Sequence, residues 1–410
     1  MGVTGNKIVF IEDADNSDSV LEHHGIDKST VRHLKNGQFF TPGFIDTHTH
    51  APQYAMLGTA LDKELCDWLS WYTFPTEAKF ADPEFAAHIY NKAVGRLLNN
   101  GTTTVSYFGT THLKACQILC DIIESKGQRA YVGKVNMDTN CPEYYRELTE
   151  NSVEDTKRFI DSVLDRKNPL LTPVITPRFA GTCSRELLQK LGQLAQETQL
   201  PIQTHISECT TECAWVKDLF PETQNYADVY DKHNLLTPKT ILAHGVYLTE
   251  AELNLIKKRK CALSHCANSN ASIRSGILDV RELLNRGIKV GLGTDMSAGY
   301  SPSVLDAMRS SLLVSNVLTV RQPQGYQWLP YKEAFKLSTL GGATAMGLDD
   351  VIGNFQVGKD FDALLIDCDV THSPFDTYPW DTMEDLVQKF IYQGDDRNIT
   401  EVYVSGRRVK

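Results

Sequence analysis

The sequence predicts an α/β fold: a (β/α)8 TIM-type barrel in residues 44–349, with a small β layer formed by residues 1–43 and 350–410. Two observations predict this fold. Short stretches rich in β-branched residues alternate with longer stretches of helically spaced apolar residues, as in parallel strands joined by crossover helices. Eight such units fit between Phe44 and Asp295, a span of about 250 residues, which is the usual size of this barrel.

Each unit begins with one predicted strand. The strands are GFIDTH from residue 43, TTTVSY from 102, AYVGKVNM from 130, TPVITPRF from 172, PIQTHI from 201, TILAHG from 240, CALSHC from 261 and IKVGLGTD from 288. Between the fourth and the fifth strand, the stretch that begins at Ser184 places its leucines on one helical face, with Ser184 as the N-cap. This alternation is compatible with a barrel or an open parallel sheet, and the number of units favours the barrel.

The two ends of the chain show a different pattern. Short strands separated by Gly and Asp turns, without crossover helices, are expected in NKIVFIED, GNFQVGKDFDALLIDCD and NITEVYVSGRRVK. We expect these strands to pair in one small β layer built from both ends. Residues 301–348 have helical spacing and would link the barrel to this layer, whereas residues 11–25 are expected to form an exposed loop.

The composition limits the classes of protein and of partner. With 410 residues, of which 41% are hydrophobic, the chain can bury a large core. The formal net charge is -10 and no Lys/Arg-rich block occurs, which argues against nucleic acid and anionic membranes as partners. No apolar stretch is long enough to span a bilayer, and the start of the chain lacks the order of a secretory signal. The 10 scattered cysteines include no CxxC pair and are typical of reduced thiols, so we expect a cytoplasmic protein that acts on a small molecule.

Metal-capable side chains follow four of the eight predicted strands. His48 and His50 are one residue apart and point to the same face of the first strand. The fifth, sixth and eighth strands end in His205, His244 and Asp295. The pair alone is equally compatible with a metal site and with a hydrogen-bonded pair, and each of the others alone is typical of a structural histidine or a helix cap. In a barrel, however, the carboxyl ends of all strands face one mouth, so the set predicts a hydrolytic zinc site with an open position for water.

A carboxylate lies three residues after His205. If a helical turn begins there, Glu208 lies beside the metal-bound water and can carry protons in catalysis. Alternatively, Glu208 is a first-turn glutamate that the helix dipole favours. The chain contains no P-loop, no GxGxxG and no GxSxG motif, which argues against nucleotide-driven and serine-hydrolase chemistry.

The order of these motifs resembles the amidohydrolase superfamily. The motifs are PGFIDTHTH on strand one, HISE on strand five, AHG on strand six and GTD on strand eight. A closer similarity, to the guanine deaminase family, extends over nearly the whole chain in DWLSWYTFPTE, NNGTTTVSYFGT, TPRFAGTCS, LSHCANSN, GLGTDMSAGYS, LSTLGGATAMGL and QKFIYQGDDRNITEVYV. The resemblance implies a zinc-dependent hydrolase that deaminates guanine to xanthine and ammonia in purine catabolism. It also implies a homodimer and further strands ahead of NKIVFIED, so the N-terminal part of the small β layer is expected to be incomplete.

The resemblance implies a role for each candidate residue. One zinc ion per chain would be held by His48, His50, His205 and Asp295. His244 would orient the attacking water, Asp295 would accept its proton, and Glu208 would protonate N3 of the purine and help ammonia leave. Strand four carries no lysine that could form the bridging carbamate of binuclear relatives, which favours one zinc ion.

Four further residues are implied in binding the purine. Gln53 and Arg178 can form hydrogen bonds with its oxygen and nitrogen edges. Phe179 and Trp68 would flank its flat faces. Arg178 is alternatively part of a strand-end salt bridge, and Trp68 a core aromatic residue. Two other functions stay open: another mononuclear amidohydrolase that deaminates a pterin, triazine or adenosine derivative, and a non-catalytic scaffold that keeps the fold.

Overall fold

The computed structural model describes residues 1–13, 15, 17–322 and 324–410. Its strands, in chain order, are β1 (Gly2–Thr4), β2 (Lys7–Phe10), β3 (Gln38–Pro42), β4 (Phe44–His50), β5 (Thr102–Phe108), β6 (Arg129–Gly133), β7 (Val135–Asn136), β8 (Leu171–Pro173), β9 (Thr176–Pro177), β10 (Ile202–Ile206), β11 (Thr240–His244), β12 (Ala262–His265), β13 (Lys289–Leu292), β14 (Ala363–Asp367), β15 (Ile399–Val404) and β16 (Arg407–Arg408).

The α-helices are α1 (Ser17–His23), α2 (Leu65–Trp68), α3 (Phe74–Ala78), α4 (Pro83–Asn99), α5 (Leu113–Lys126), α6 (Thr149–Leu164), α7 (Arg185–Thr198), α8 (Thr210–Leu219), α9 (Tyr226–Lys232), α10 (Glu250–Arg259), α11 (Ala267–Ser272), α12 (Val280–Asn285), α13 (Val304–Arg321), α14 (Tyr331–Lys336), α15 (Gly342–Met346) and α16 (Met383–Gln393). Two π-helical turns, Leu69–Thr73 and Leu337–Gly341, continue α2 into α3 and α14 into α15. Short 3₁₀ turns cover Lys28–Thr30, Ala51–Met56, Lys79–Ala81, Glu143–Tyr145 and Ala180–Thr182.

Eight parallel strands close into a barrel, which confirms the predicted fold class. β4, β5, β6 and β8 pair in one parallel sheet, and β10, β11, β12 and β13 pair in a second. At one seam, Ile175 beyond β8 pairs with Ile202 of β10 in a parallel bridge. At the other seam, the backbone N–H of Asp295 donates to the His48 carbonyl at 2.9 Å, which joins the eighth barrel strand to the first. Each predicted strand corresponds to one of these eight, with β7 and β9 as short extensions of the third and the fourth.

The barrel strands are buried on both faces, because side chains fill the interior and helices cover the outside. All residues of Thr102–Phe108 in β5 are buried, although the strand begins with three threonines. Helix α7 shows how a covering helix is specified. Its buried face includes Leu187, Leu188 and Leu191, and the side chain of Ser184 accepts a hydrogen bond from the Leu187 N–H. The predicted face and the predicted N-cap are both present.

Strands from both ends of the chain form a second, antiparallel sheet, although not with all the predicted partners. Its order is β16-β15-β14-β3, so its N-terminal strand is Gln38–Pro42. The predicted segment NKIVFIED instead contains β2, which pairs with β1. Backbone hydrogen bonds join Ile8 of β2 to Gly358 and Lys359, which precede β14. The prediction overlooked Gln38–Pro42 because this strand ends in proline, which is depleted in strands.

The helical prediction for residues 301–348 is confirmed by α13, α14 and α15. The exposed loop expected in residues 11–25 is in part a helix, because Ser17–His23 form α1, which buries no residue. An acidic first turn and a histidine in the last turn suit the helix dipole there. Ala14 and Asn16 lie outside the described residues. In the part of the chain that the structure describes, no helix is both long and apolar enough to cross a membrane.

A buried ion-pair network joins the barrel to the antiparallel sheet. Arg129, at the start of β6, donates to Asp360 at 2.8 Å and to Asp362 at 3.3 Å. The backbone N–H of Ser405 donates to the same Asp362 at 2.6 Å. Burial alone would lower the pKa of Arg129, and the two carboxylates raise it above its usual value. The guanidinium is therefore a fixed positive charge between the two parts of the molecule.

Candidate active site

The carboxyl ends of the barrel strands bring five polar side chains into one buried cluster. They are His48 and His50 of β4, His205 of β10, His244 of β11 and Asp295 after β13. The Nε2 atoms of His48 and His50 lie 3.2 Å and 3.6 Å from Oδ1 of Asp295. Nε2 of His50 lies 3.0 Å from Nε2 of His205. Nε2 of His244 lies 3.8 Å from Oδ2 of Asp295. All five residues singled out at strand ends therefore meet in space.

The backbone at the strand ends aims these side chains into the barrel mouth. His244 and Asp295 have φ values of 72° and 46°, in the left-handed region that residues other than glycine rarely adopt. Such a conformation costs about 1–3 kcal/mol per residue and is typical of functional sites. Gly293 leaves room for His48, because a Cβ at Gly293 would lie 2.9 Å from the Cβ of His48. The local backbone is therefore shaped around the cluster.

Hydrogen bonds on the far side of two rings determine which nitrogen faces the cluster. Nδ1–H of His205 donates to the Arg178 carbonyl at 2.6 Å, and Nδ1–H of His244 donates to Oδ1 of Asn270 at 2.9 Å. These partners set the tautomers, so each ring presents Nε2 to the cluster. Burial alone would lower the pKa of His244, and the nearby carboxylates, Glu208 first, raise it.

The cluster has the protonation states that a metal site needs. Burial lowers the pKa of His48, His50 and His205, so their imidazoles are neutral near pH 7. Burial alone would raise the pKa of Asp295, but the histidines, His48 first, hold it well below its usual value. Oγ of Ser269 donates to Oδ2 of Asp295 at 2.5 Å and fixes the carboxylate.

These side chains fit a divalent metal ion. Three sets of three described residues have ligand atoms within 4.8 Å of one another: His48, His50 and His205; Glu208, His244 and Asp295; and His48, His244 and Cys266. Among the described residues, the buried Nε2 atoms of His48 and His244 have no hydrogen-bond partner, since the contact of His48 with Asp295 lacks hydrogen-bond geometry. Such buried atoms are costly unless a ligand meets them. Imidazole nitrogen and carboxylate oxygen are the donor types of zinc sites.

Glu208 lies beside the cluster but outside a helix. Helix α8 begins at Thr210 with Cys209 as its N-cap, and its capping-box glutamate is Glu212. The alternative prediction of a first-turn role for Glu208 is therefore wrong, because Glu212 occupies that position. Oε2 of Glu208 lies 3.5 Å from Nε2 of His244. Burial raises the pKa of Glu208 to about 7, so this carboxyl group can both hold and release a proton near neutral pH.

A cavity opens onto the cluster. Its lining includes all four residues predicted to bind a substrate: Gln53, Trp68, Arg178 and Phe179. Leu65, Leu69 and Ala298 add apolar surface. Trp68 is buried, and its Nε1–H finds no hydrogen-bond partner within the described ranges. An apolar wall combined with a few convergent polar groups is typical of a site for a small molecule.

Arg178 is paired with a residue that the sequence did not single out. Nη1 and Nη2 of Arg178 donate to the two carboxylate oxygens of Glu77 at 2.6 Å and 3.1 Å. Nε2 of Gln53 and the hydroxyl of Tyr145 also donate to Glu77, at 3.0 Å and 2.8 Å. The salt bridge that was the alternative for Arg178 therefore exists, and of its two members Arg178 lines the cavity. Burial alone would lower the pKa of Arg178, and Glu77 raises it.

Sequence reasoning missed the residues that support the site from behind. They are Glu77, Ser269, Asn270 and Ser275. The last three follow the seventh barrel strand, and a run of small polar residues at a strand end was the available signal. Glu77 lies in α3, between the first and second barrel strands, and had no comparable signal.

Comparison with known proteins identifies one family. Residues 39–409 match the family described as "Amidohydrolase family". A guanine deaminase of Mus musculus is 48% identical over 416 aligned residues, which cover 100% of this chain and 91% of the relative. A guanine deaminase of Escherichia coli (strain K12) is 37% identical over 392 aligned residues, which cover 95% of this chain and 86% of the relative. This chain superposes on the crystal structure of guanine deaminase from C. acetobutylicum, which has guanine bound in its active site, with a TM-score of 0.91 and 37% sequence identity. The match covers 100% of this chain and 94% of that chain.

Proposed function

This chain belongs to the amidohydrolase family and groups with its guanine deaminases, and from that premise we propose that it hydrolyses guanine to xanthine and ammonia at a single zinc ion. One observation carries the proposal. A buried cluster of four histidines and one aspartate, with the protonatable Glu208 beside it, faces a cavity that combines aromatic walls with hydrogen-bonding groups.

The zinc ion would be held by His48, His50, His205 and Asp295. Bound zinc lowers the pKa of a coordinated water to about 7 and so makes a nucleophile available at neutral pH. Two features of the chain support this assignment. Burial lowers the pKa values of the three imidazoles, which favours the neutral form that binds metal, and the pKa of Asp295 lies well below its usual value, which favours the carboxylate form.

Side chains of the protein carry the protons. Asp295, fixed by Ser269, accepts the proton of the attacking water. His244, whose Nε2 lies between Glu208 and Asp295, orients that water and stabilises the charge that develops. As the water oxygen bonds to C2, Glu208 donates a proton to N3 of the ring. The proton held by Asp295 then passes, with the assistance of Glu208, to the 2-amino group, whose bond to C2 breaks as ammonia leaves, and the C2 hydroxyl returns its proton to Glu208 as the carbonyl forms.

Guanine matches both kinds of surface in the cavity. Phe179 and Trp68 supply apolar surface for its flat rings. Gln53 and Arg178 supply N–H donors for its oxygen and nitrogen edges. The burial of these four side chains favours a small, flat, neutral substrate over a large or charged one.

Ammonia release from a panel of aminated rings tests the proposed function. The zinc-loaded protein is assayed with guanine, adenosine, a pterin and a triazine, and we expect guanine to give the highest kcat/KM. Release from another ring but not from guanine would identify a different mononuclear amidohydrolase. Release from none of them by a protein with one zinc per chain would indicate a non-catalytic scaffold. Substantially less than about one zinc per chain would contradict the proposed ligand set.

A homodimer and a cytoplasmic location are further proposals that rest on the family. All ten cysteines are free, which supports a reducing compartment. A molar mass by light scattering near twice the 45.9 kDa of the chain is the result expected for the dimer. A mass near that of the single chain would refute it.

A further inference from the structure

Glu77 lies behind the polar wall of the cavity, where it is bonded to two of the lining residues, Gln53 and Arg178. Its side chain has 0% exposure, and each of its carboxylate oxygens accepts two hydrogen bonds. Oε1 accepts from Arg178 and Gln53, and Oε2 accepts from Arg178 and Tyr145. A buried carboxylate that is satisfied in this way has one stable position, and it constrains every group that donates to it.

Glu77 determines which way the Gln53 amide points. Nε2 of Gln53 donates to Glu77 at 3.0 Å, while Oε1 of Gln53 accepts from the backbone N–H of Ser297 at 3.2 Å. With an acceptor on one side and a donor on the other, only one of the two amide orientations satisfies both contacts. The flipped amide would place its oxygen against the Glu77 carboxylate. Glu77 therefore fixes Nε2 of Gln53, a donor, at the same carboxylate oxygen that Arg178 binds.

Glu77 also fixes the guanidinium of Arg178. The two N–H donors that bind its carboxylate form a bidentate pair, the geometry that most restricts an arginine. The guanidinium lies over the ring of Phe74, 5.1 Å from the ring centroid. An arginine has five N–H donors, so two are used by Glu77 and the others remain on the same rigid plane. Because Arg178 and Gln53 both line the cavity, Glu77 holds a set of donors along one wall.

We propose that Glu77 is a positioning residue that makes the site selective for 6-oxopurines. The inference rests on the proposed function, which places C2 of the ring at the cluster and N3 at Glu208. Because C6 is opposite N3 in the six-membered ring, its substituent then points away from Glu208, and we assign it to the N–H donors of the lining residues Gln53 and Arg178. A carbonyl oxygen at C6 accepts from these donors. A ring with hydrogen at C6 leaves them unpaired, and a buried unpaired donor disfavours the complex.

Two purines that cannot be deaminated at C2 test this role. Hypoxanthine carries the 6-oxo group but no 2-amino group, and unsubstituted purine carries neither. Calorimetric titration of the zinc-loaded protein with each gives two dissociation constants, and their ratio measures recognition of the 6-oxo edge. We expect Glu77→Gln to reduce the preference for hypoxanthine about 10- to 100-fold, about 1.4–2.8 kcal/mol, with the affinity for purine and the zinc content unchanged.

A second variant and a matched control separate positioning from folding. Glu77→Asp keeps the negative charge that buried Arg178 needs but withdraws the carboxylate by one methylene, so we expect a smaller loss of the same preference. Glu147→Gln is the control, because Glu147 forms another largely buried ion pair, with Lys134, and its hydrogen-bond partners do not line the cavity. We expect the control to lose stability and to keep the wild-type ratio of dissociation constants.

Three outcomes would overturn the positioning role of Glu77. They are a wild-type protein without preference for hypoxanthine, a Glu77→Asp protein with the wild-type ratio, and an equal weakening of both purines in the Glu77 variants. The binding ratio does not depend on turnover. Failure of the wild type to release ammonia from guanine would refute the proposed function, whereas an unchanged ratio in an active Glu77 variant would refute only the inference about Glu77.

Discussion

Replacing Glu208 with glutamine removes the proposed proton carrier and changes little else. The amide is isosteric with the carboxyl group, and its oxygen can still accept the hydrogen bond that Ser275 donates to Oε1 at 3.3 Å. None of the four proposed zinc ligands is altered, so we expect the variant to bind as much zinc as the wild type. The Glu208 side chain is only 6% exposed, so bulk water has little access to take over its role.

The size of the effect follows from the two proton transfers assigned to Glu208. A positioned general acid or base contributes about 10²–10⁴-fold to a rate. Because an amide cannot transfer a proton in either step, we expect kcat to fall about 10³-fold, about 4 kcal/mol in activation free energy. The glutamine N–H can still donate a hydrogen bond to N3, so we expect KM to change by less than about threefold.

Ammonia release from guanine, with zinc measured in the same sample, gives the result. Glu252→Gln is the matched control, because Glu252 is also a buried carboxylate and accepts hydrogen bonds from Thr249 in the capping box of α10. We expect the control to lose about 1 kcal/mol of stability and to keep its kcat. A Glu208→Gln protein that binds zinc and retains more than a tenth of the wild-type kcat would refute the proton-carrier role.

Three further predictions concern the metal, its support and the fold. Removing zinc with a chelator is expected to lower the Tm, and added zinc is expected to raise the Tm as its concentration increases. The reason is that a ligand that binds only the folded state stabilises that state. A Tm that does not respond to zinc would contradict the proposed zinc site. Ser269→Ala removes the 2.5 Å hydrogen bond to Asp295 and is expected to reduce kcat/KM or zinc affinity about 10- to 100-fold. Steady-state kinetics and zinc competition with a chelator measure the two quantities. If neither changes, Asp295 does not need this support. Arg129→Met leaves the carboxylates of Asp360 and Asp362 without their buried partner, and we expect the free energy of unfolding, measured with urea, to fall by about 3–5 kcal/mol. A decrease below about 1 kcal/mol would show that the network does not stabilise the fold.

The barrel was predictable because its signals are local. Strand and helix periodicities repeat within each unit, and eight units of the usual length close only in a few ways. The antiparallel sheet was less predictable, because β3 pairs with β14 at the other end of the chain. Its strand Gln38–Pro42 is short and ends in proline, so neither length nor composition marked it. Pairing across such a distance depends on where the barrel places the two chain segments.

The sequence by itself determined which side chains gather at the barrel mouth. His48 and His205 lie near the carboxyl ends of β4 and β10, and Asp295 follows β13; parallel strands bring their carboxyl ends together whatever the loops do. Only the tertiary structure decided what supports these side chains and what faces them across the cavity. Glu77 meets Arg178 from 101 positions away, through a helix inserted between the first two barrel strands. Which carboxylate meets which guanidinium depends on loop direction and side-chain torsion, and neither has a period that can be read along the chain.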